Sequence, residues 1–136
     1  MTSRFETLKN LADIVFDRAM DKTGGMILLA KLDPVEKTVV LAFDVLGLAG
    51  GMGLEDMLDD EMDDDPGYVQ TIEAYRKIGE NEMADILNEG LKLKQLVKAG
   101  KKHSQLRDFK KLDTEFYARE QECIVKIGEF VEANSK

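Results

Sequence analysis

The chain has little of what most enzyme chemistry draws on. It holds one cysteine, Cys123, and one histidine, His103. A lone cysteine excludes an internal disulfide framework and any multi-cysteine zinc site, and a lone histidine excludes a histidine metal triad. His103 lies among lysines in an expected surface loop. Cys123 falls on the apolar stripe of an expected helix, which points to a buried, inert thiol, because reactive thiols need an electropositive and accessible setting. Strand signals are scarce: no alternating apolar–polar run carries a hairpin dipeptide. The longest apolar stretch, Val39 to Leu54, is interrupted by Asp44 and by four glycines, too short to span a bilayer. The opening residues, with Glu6 and Lys9 arriving early, do not read as a signal peptide. A reducing cytoplasm is the expected location. Gly50-Gly51-Met52-Gly53 is no phosphate loop, since no Lys-Ser or Lys-Thr follows and the next charges are acids.

What is present is helical punctuation. With 136 residues, 43% of them apolar and 34% charged, the chain has the size and composition of one globular domain. Ser3 and Glu6 fit a capping box. Phe5, Leu8, Ala12, Val15 and Ala19 then follow the helical period until Gly24-Gly25. Met26 to Leu32 is ambiguous between strand and buried helix. Asp33-Pro34, with Glu36 three beyond the aspartate, predicts a second helix start. The cluster Gly47, Gly50, Gly51 and Gly53 is expected to break that helix. A short acidic helix is expected over Leu54 to Met62. Asp65-Pro66 repeats the cap-plus-proline device and predicts a helix with Tyr68, Ile72, Tyr75 and Ile78 on one stripe, closed by Gly79. Met83 to Leu93 mark the next helix, interrupted by Gly90 and ended by Gly100. A last helix is expected from about Asp113, its apolar side lined by Phe116, Cys123, Ile124, Ile127, Phe130 and Val131. The expectation is an all-α fold, a single compact domain of about six helices over residues 1–136.

Charge is unevenly placed. There are 27 acids against 19 bases, a net charge of −8. This balance argues against direct binding of nucleic acid or an anionic membrane, and leaves basic proteins and cations as partners. Residues 55–65 hold eight acids and no base: Glu55, Asp56, Asp59, Asp60, Glu61, Asp63, Asp64 and Asp65. Residues 91–111 hold eight bases (Lys92, Lys94, Lys98, Lys101, Lys102, Arg107, Lys110, Lys111) against Asp108. As one helix, the acidic run would cost about 1.5–3.5 kcal/mol in like-charge pairs at low salt. Glu55 and Asp56 have a use at a helix N-terminus and Asp65 as a cap; the other five have none locally. Three readings are open. The run is a solvated face attracted to the basic segment, or a docking surface for a basic protein, or a calcium site. The calcium frames fail on spacing: counted from Asp59, positions six and twelve are Asp64 and Gln70, and counted from Asp63 they are Tyr68 and Ala74.

Two stretches carry a resemblance. One runs Tyr68-Val-Gln-Thr-Ile-Glu-Ala-Tyr-Arg-Lys-Ile-Gly79 into Met83-Ala-Asp-Ile-Leu-Asn-Glu-Gly90. The other is Leu112-Asp-Thr-Glu-Phe-Tyr-Ala-Arg-Glu120. Over about 39–134 the chain resembles a bacterial family of small helical proteins, mostly of unknown function, that includes a DNA-mimic protein. Gly50-Gly51 matches that family's double glycine, whereas Met52-Gly-Leu-Glu-Asp replaces the aromatic-rich segment that follows it there. The resemblance implies an all-helical fold and a DNA-mimic role toward a DNA-binding protein, with no enzyme activity and no cofactor.

The expectation is therefore a non-enzymatic, acidic interaction module that uses the 55–65 carboxylates. The alternatives are an immunity protein neutralising a basic toxin, and a small cytoplasmic enzyme or metal-binding protein. A two-fold homodimer joining the 55–65 run of one copy to the 91–111 run of another is a further expectation.

Overall fold

The computed structural model describes residues 3–25, 29–59, 65–98 and 105–134, with the backbone alone at 50, 59, 97–98 and 105–108. Among the described residues there are six α-helices and no strand: α1 Arg4–Lys22, α2 Pro34–Met52, α3 Leu54–Asp59, α4 Val69–Lys77, α5 Asn81–Lys98 and α6 Gln105–Ala133. Two 3-10 turns, Leu29–Lys31 and Pro66–Tyr68, precede α2 and α4. No helix among the described residues is long and apolar enough to cross a membrane.

α2 is the centre. Most of its circumference is buried, through Val39, Val40, Leu41, Ala42, Val45, Leu46 and Ala49, and it packs against α1, α3, α4 and α6. α1 applies the stripe Leu8, Ala12, Val15 and Ala19 to α2 and α6. α6 has 29 residues, a rod of about 44 Å, and runs along α1, α5 and α2. Where α6 crosses α1 the backbones nearly touch: a Cβ on Gly128 would stand 2.4 Å from the Leu8 carbonyl oxygen. Arg4 and Glu132 fasten the same pair by two hydrogen bonds of 3.0 and 2.7 Å. Each of the three tyrosines donates to a backbone carbonyl: Tyr68 to Met57 and Tyr75 to Ala42, both at 2.6 Å, and Tyr117 to Ala49 at 3.0 Å.

The expected caps are present at several ends. The Ser3 hydroxyl accepts from the Glu6 amide at 3.1 Å. Asp33 and Glu36 form a reciprocal box. α1 closes on left-handed Gly24, with the Gly25 amide donating to the Met20 carbonyl. α4 closes on left-handed Gly79, with the Glu80 amide donating to the Tyr75 carbonyl. Both are six-to-one closures that only a residue tolerant of positive φ permits.

Three expectations fail. The glycines do not break α2 at Gly47, Gly50 or Gly51; it continues to Met52 and stops at Gly53, where φ is +84°. Burial of Val45, Leu46 and Ala49 on the same turns outweighs a helix cost of about 1 kcal/mol per glycine. Gly90 does not interrupt α5. It sits inside the helix as a contact point, where a Cβ would lie 2.7 Å from Leu58 Cδ1. α6 begins at Gln105, well before Asp113. Asp113 is no cap of its own helix: its carboxylate accepts from the Leu54 amide at 2.9 Å and caps α3 from across the fold. Of the ambiguous stretch, Leu29–Lys31 is a 3-10 turn and 26–28 lie outside the described residues.

Candidate protein-docking surface

The acidic run divides into three fates. Glu55, half-buried, and Asp56, exposed, occupy the first turn of α3. There the unpaired amides favour negative charge, as expected. They line a cleft of about 530 Å³ with Met52, Gly53, Phe109, Lys110 and Asp113. Lys110 shares this cleft with the two acids, yet no ion pair joins them among the described residues. Asp59 belongs to α3 by its backbone, and Asp60, Glu61, Asp63 and Asp64 lie outside the described residues.

Asp65 is a correction to the expected partner-binding set. It is completely buried. Its carboxylate accepts from the Gln70 amide at 2.7 Å, the Thr71 amide at 3.0 Å and the Thr71 hydroxyl at 2.6 Å. A carboxylate with three internal donors and no exposed surface is committed to the fold. It caps α4 from four residues upstream, across the 3-10 turn, rather than opening a helix at Pro66.

A second acidic surface went unread in the sequence because its charges are not consecutive. Glu82, Asp85 and Glu89 stand three and four apart on α5, which places them on one helical face. With Glu115 of α6 they border a groove of about 570 Å³, also lined by Ile86, Leu112, Ala118 and Arg119. The carboxylates are unequally engaged. Arg119 spends its fork on buried Glu80, with bonds of 3.0 and 2.8 Å, and reaches Glu82 at 2.9 Å. Asp85 pairs with Arg76 at 3.1 Å. Glu89 and Glu115 have no ion-pair partner among the described residues. The groove therefore offers an apolar floor edged by four carboxylates and one guanidinium already held by Glu80. The signal that would have found it is helical, not linear: acids at 82, 85 and 89 around apolar Ile86.

The remaining candidates take ordinary structural places. Cys123 is buried, and burial pushes its thiol above the usual range, which disfavours the thiolate. His103 lies outside the described residues. Of the basic segment, Lys92, Lys110 and Lys111 are exposed and Lys94 is half-buried. Among the described residues no group of three or more His, Cys, Asp or Glu side chains is placed to hold a metal ion.

No curated protein and no solved structure matches the chain. The family model for DMP19-like proteins matches residues 30–134, beginning at the 3-10 turn before α2 rather than near residue 39. α1 precedes the matched region, yet Leu8, Ala12, Val15 and Ala19 are buried in the fold that region builds. The match spans α2 to α6, including both acidic clefts, and the chain belongs to the DMP19-like protein family.

Proposed function

We propose that the chain is a non-enzymatic interaction module whose carboxylates engage a basic protein, in the manner of a DNA mimic toward a DNA-binding protein. The observation that carries the reading is the α5–α6 groove, where Glu82, Asp85, Glu89 and Glu115 edge an apolar floor. Spaced carboxylates present the negative row that a DNA-binding face expects from phosphates, and the net charge of −8 steers a basic partner at long range. Family membership supports the same reading. Glu55 and Asp56 add charge on the neighbouring α3, which packs against both α5 and α6.

The test is capture of partners from host lysate by the wild type and by the variant Glu55→Gln/Asp56→Asn/Glu89→Gln/Glu115→Gln. None of these four side chains has an ion pair among the described residues, so the variant is expected to stay folded. Loss of a basic partner from the variant, and its release from the wild type by added duplex DNA, is the expected result. A basic partner lost from the variant but indifferent to DNA would instead favour neutralisation of a toxin. Equal recovery by both forms would remove these carboxylates from the interface.

A further inference from the structure

A third cleft has the opposite charge and meets the α5–α6 groove through the Arg76–Asp85 pair. It is a groove of about 840 Å³ between α2, α4 and the turn Leu29–Lys31. Its walls are faces of two helices. α2 supplies Pro34, Lys37, Thr38 and Leu41, and α4 supplies Gln70, Glu73, Ala74 and Lys77. Leu29, Leu41 and Ala74 form an apolar cluster separate from the main core, with Leu32 packed against it. The cluster is buried beneath the groove, and the apolar lining left accessible is Ala30, Leu32 and Pro34.

Each wall carries one ammonium group, Lys37 on α2 and Lys77 on α4, and neither has an ion pair or hydrogen bond among the described residues. Arg76 adds a third cation, shared with Asp85 and Asn81, against the single carboxylate of Glu73. In a chain of net charge −8 this is a local reversal of sign, set beside the accessible apolar residues Ala30, Leu32 and Pro34. From this charge complementarity we infer that the groove docks an acidic amphipathic helical segment of a partner protein. The segment lays its apolar side chains on Ala30, Leu32 and Pro34, the accessible apolar lining of the groove, and its carboxylates reach Lys37 and Lys77 on the two walls. The inference is independent of the proposed DNA-mimic role, which uses other helices and a partner of opposite charge.

The test is fluorescence anisotropy with a labelled helical peptide of about 15 residues, leucine at i, i+3, i+4 and i+7 and glutamate at most other positions. A second peptide carries lysine in place of every glutamate, and vesicles of phosphatidylcholine with phosphatidylglycerol form a third arm. Saturable binding of the acidic peptide is expected, weakened about tenfold by Lys37→Glu/Lys77→Glu and left unchanged by the Glu89→Gln/Glu115→Gln form. Should the double variant fail to fold, the exposed single change Lys77→Glu carries the test, with a weakening of about threefold. Three results would overturn the inference: no binding of the acidic peptide, equal binding by the Lys-to-Glu variants, or capture of anionic vesicles through Lys37 and Lys77 without capture of the peptide.

Discussion

Asp33-Pro34 and Asp65-Pro66 are the same two letters with different structural outcomes. At the first, the aspartate carboxylate accepts from the Glu36 amide at 2.8 Å, and Glu36 answers by accepting from the Asp33 amide at 3.1 Å. The helix starts at the proline, and both bonds of the capping box lie within three residues. At the second, the proline opens only a 3-10 turn. Gly67 and Tyr68 both take left-handed φ, +68° and +55°, and α4 starts at Val69. Tyr68 is the one non-glycine residue with positive φ among the described residues, a conformation costing about 1–2 kcal/mol. Its complete burial and its 2.6 Å bond to the Met57 carbonyl hold it there. The contrast teaches that a capping signal specifies a donor–acceptor need, while the surrounding packing decides which helix receives it.

The largest expected effect breaks this comparison at its aspartates. Asp65→Ala strands the Gln70 and Thr71 donors in the interior and should cost about 3 kcal/mol. Asp33→Ala, at an exposed helix end, should cost about 1 kcal/mol. Urea unfolding of both variants checks the difference, and equal losses would mean that the burial of Asp65 contributes nothing.

Next in size is the turn itself. Among the described residues a Cβ on Gly67 meets only Val69 Cγ2, at 3.8 Å, and the φ of +68° is what resists substitution. Gly67→Ala is expected to lower stability by about 1 kcal/mol in the same assay. A neutral or stabilising result would show that the turn relaxes into another conformation.

The smallest effect sharpens the first site. Burial raises the Glu36 carboxyl, but hydrogen bonds from Lys22, the Asp33 amide and Arg18, with the Lys22 charge, bring it below its ordinary 4.5. A carboxyl lowered on folding stabilises the native state above its unfolded pKa, and that contribution is lost as pH falls through the folded value. Between about pH 5 and pH 3 the melting temperature of Glu36→Gln should therefore fall less steeply than that of the wild type. Parallel curves would deny Glu36 a part in acid unfolding.

The same distinction explains which features were legible. The Asp33 box, the Ser3 cap and the closures at Gly24 and Gly79 join residues within six of one another, so a short window contains the whole interaction. The Asp113 cap on α3 spans 59 residues and the Glu80–Arg119 pair spans 39. No window holds both partners of either. The acidic run looked like one site because its members are consecutive, yet Asp65 is internal and Glu55 and Asp56 lie beside Lys110. The α5–α6 groove was missed because its acids come from two helices and become neighbours only when those helices pack.

By itself the sequence determined the all-helical class, the approximate helix count, the local caps and the net negative charge, since these follow from backbone preference and composition. Only the tertiary structure decided where that charge is presented. It buried Asp65, Glu36 and Glu80 against specific donors, carried α2 through its glycines, and left Glu82, Asp85, Glu89 and Glu115 around one groove and Lys37 and Lys77 along another. The physical reason is that a carboxylate's role depends on which donors and apolar surfaces stand within a few ångströms, and packing between distant segments sets those distances.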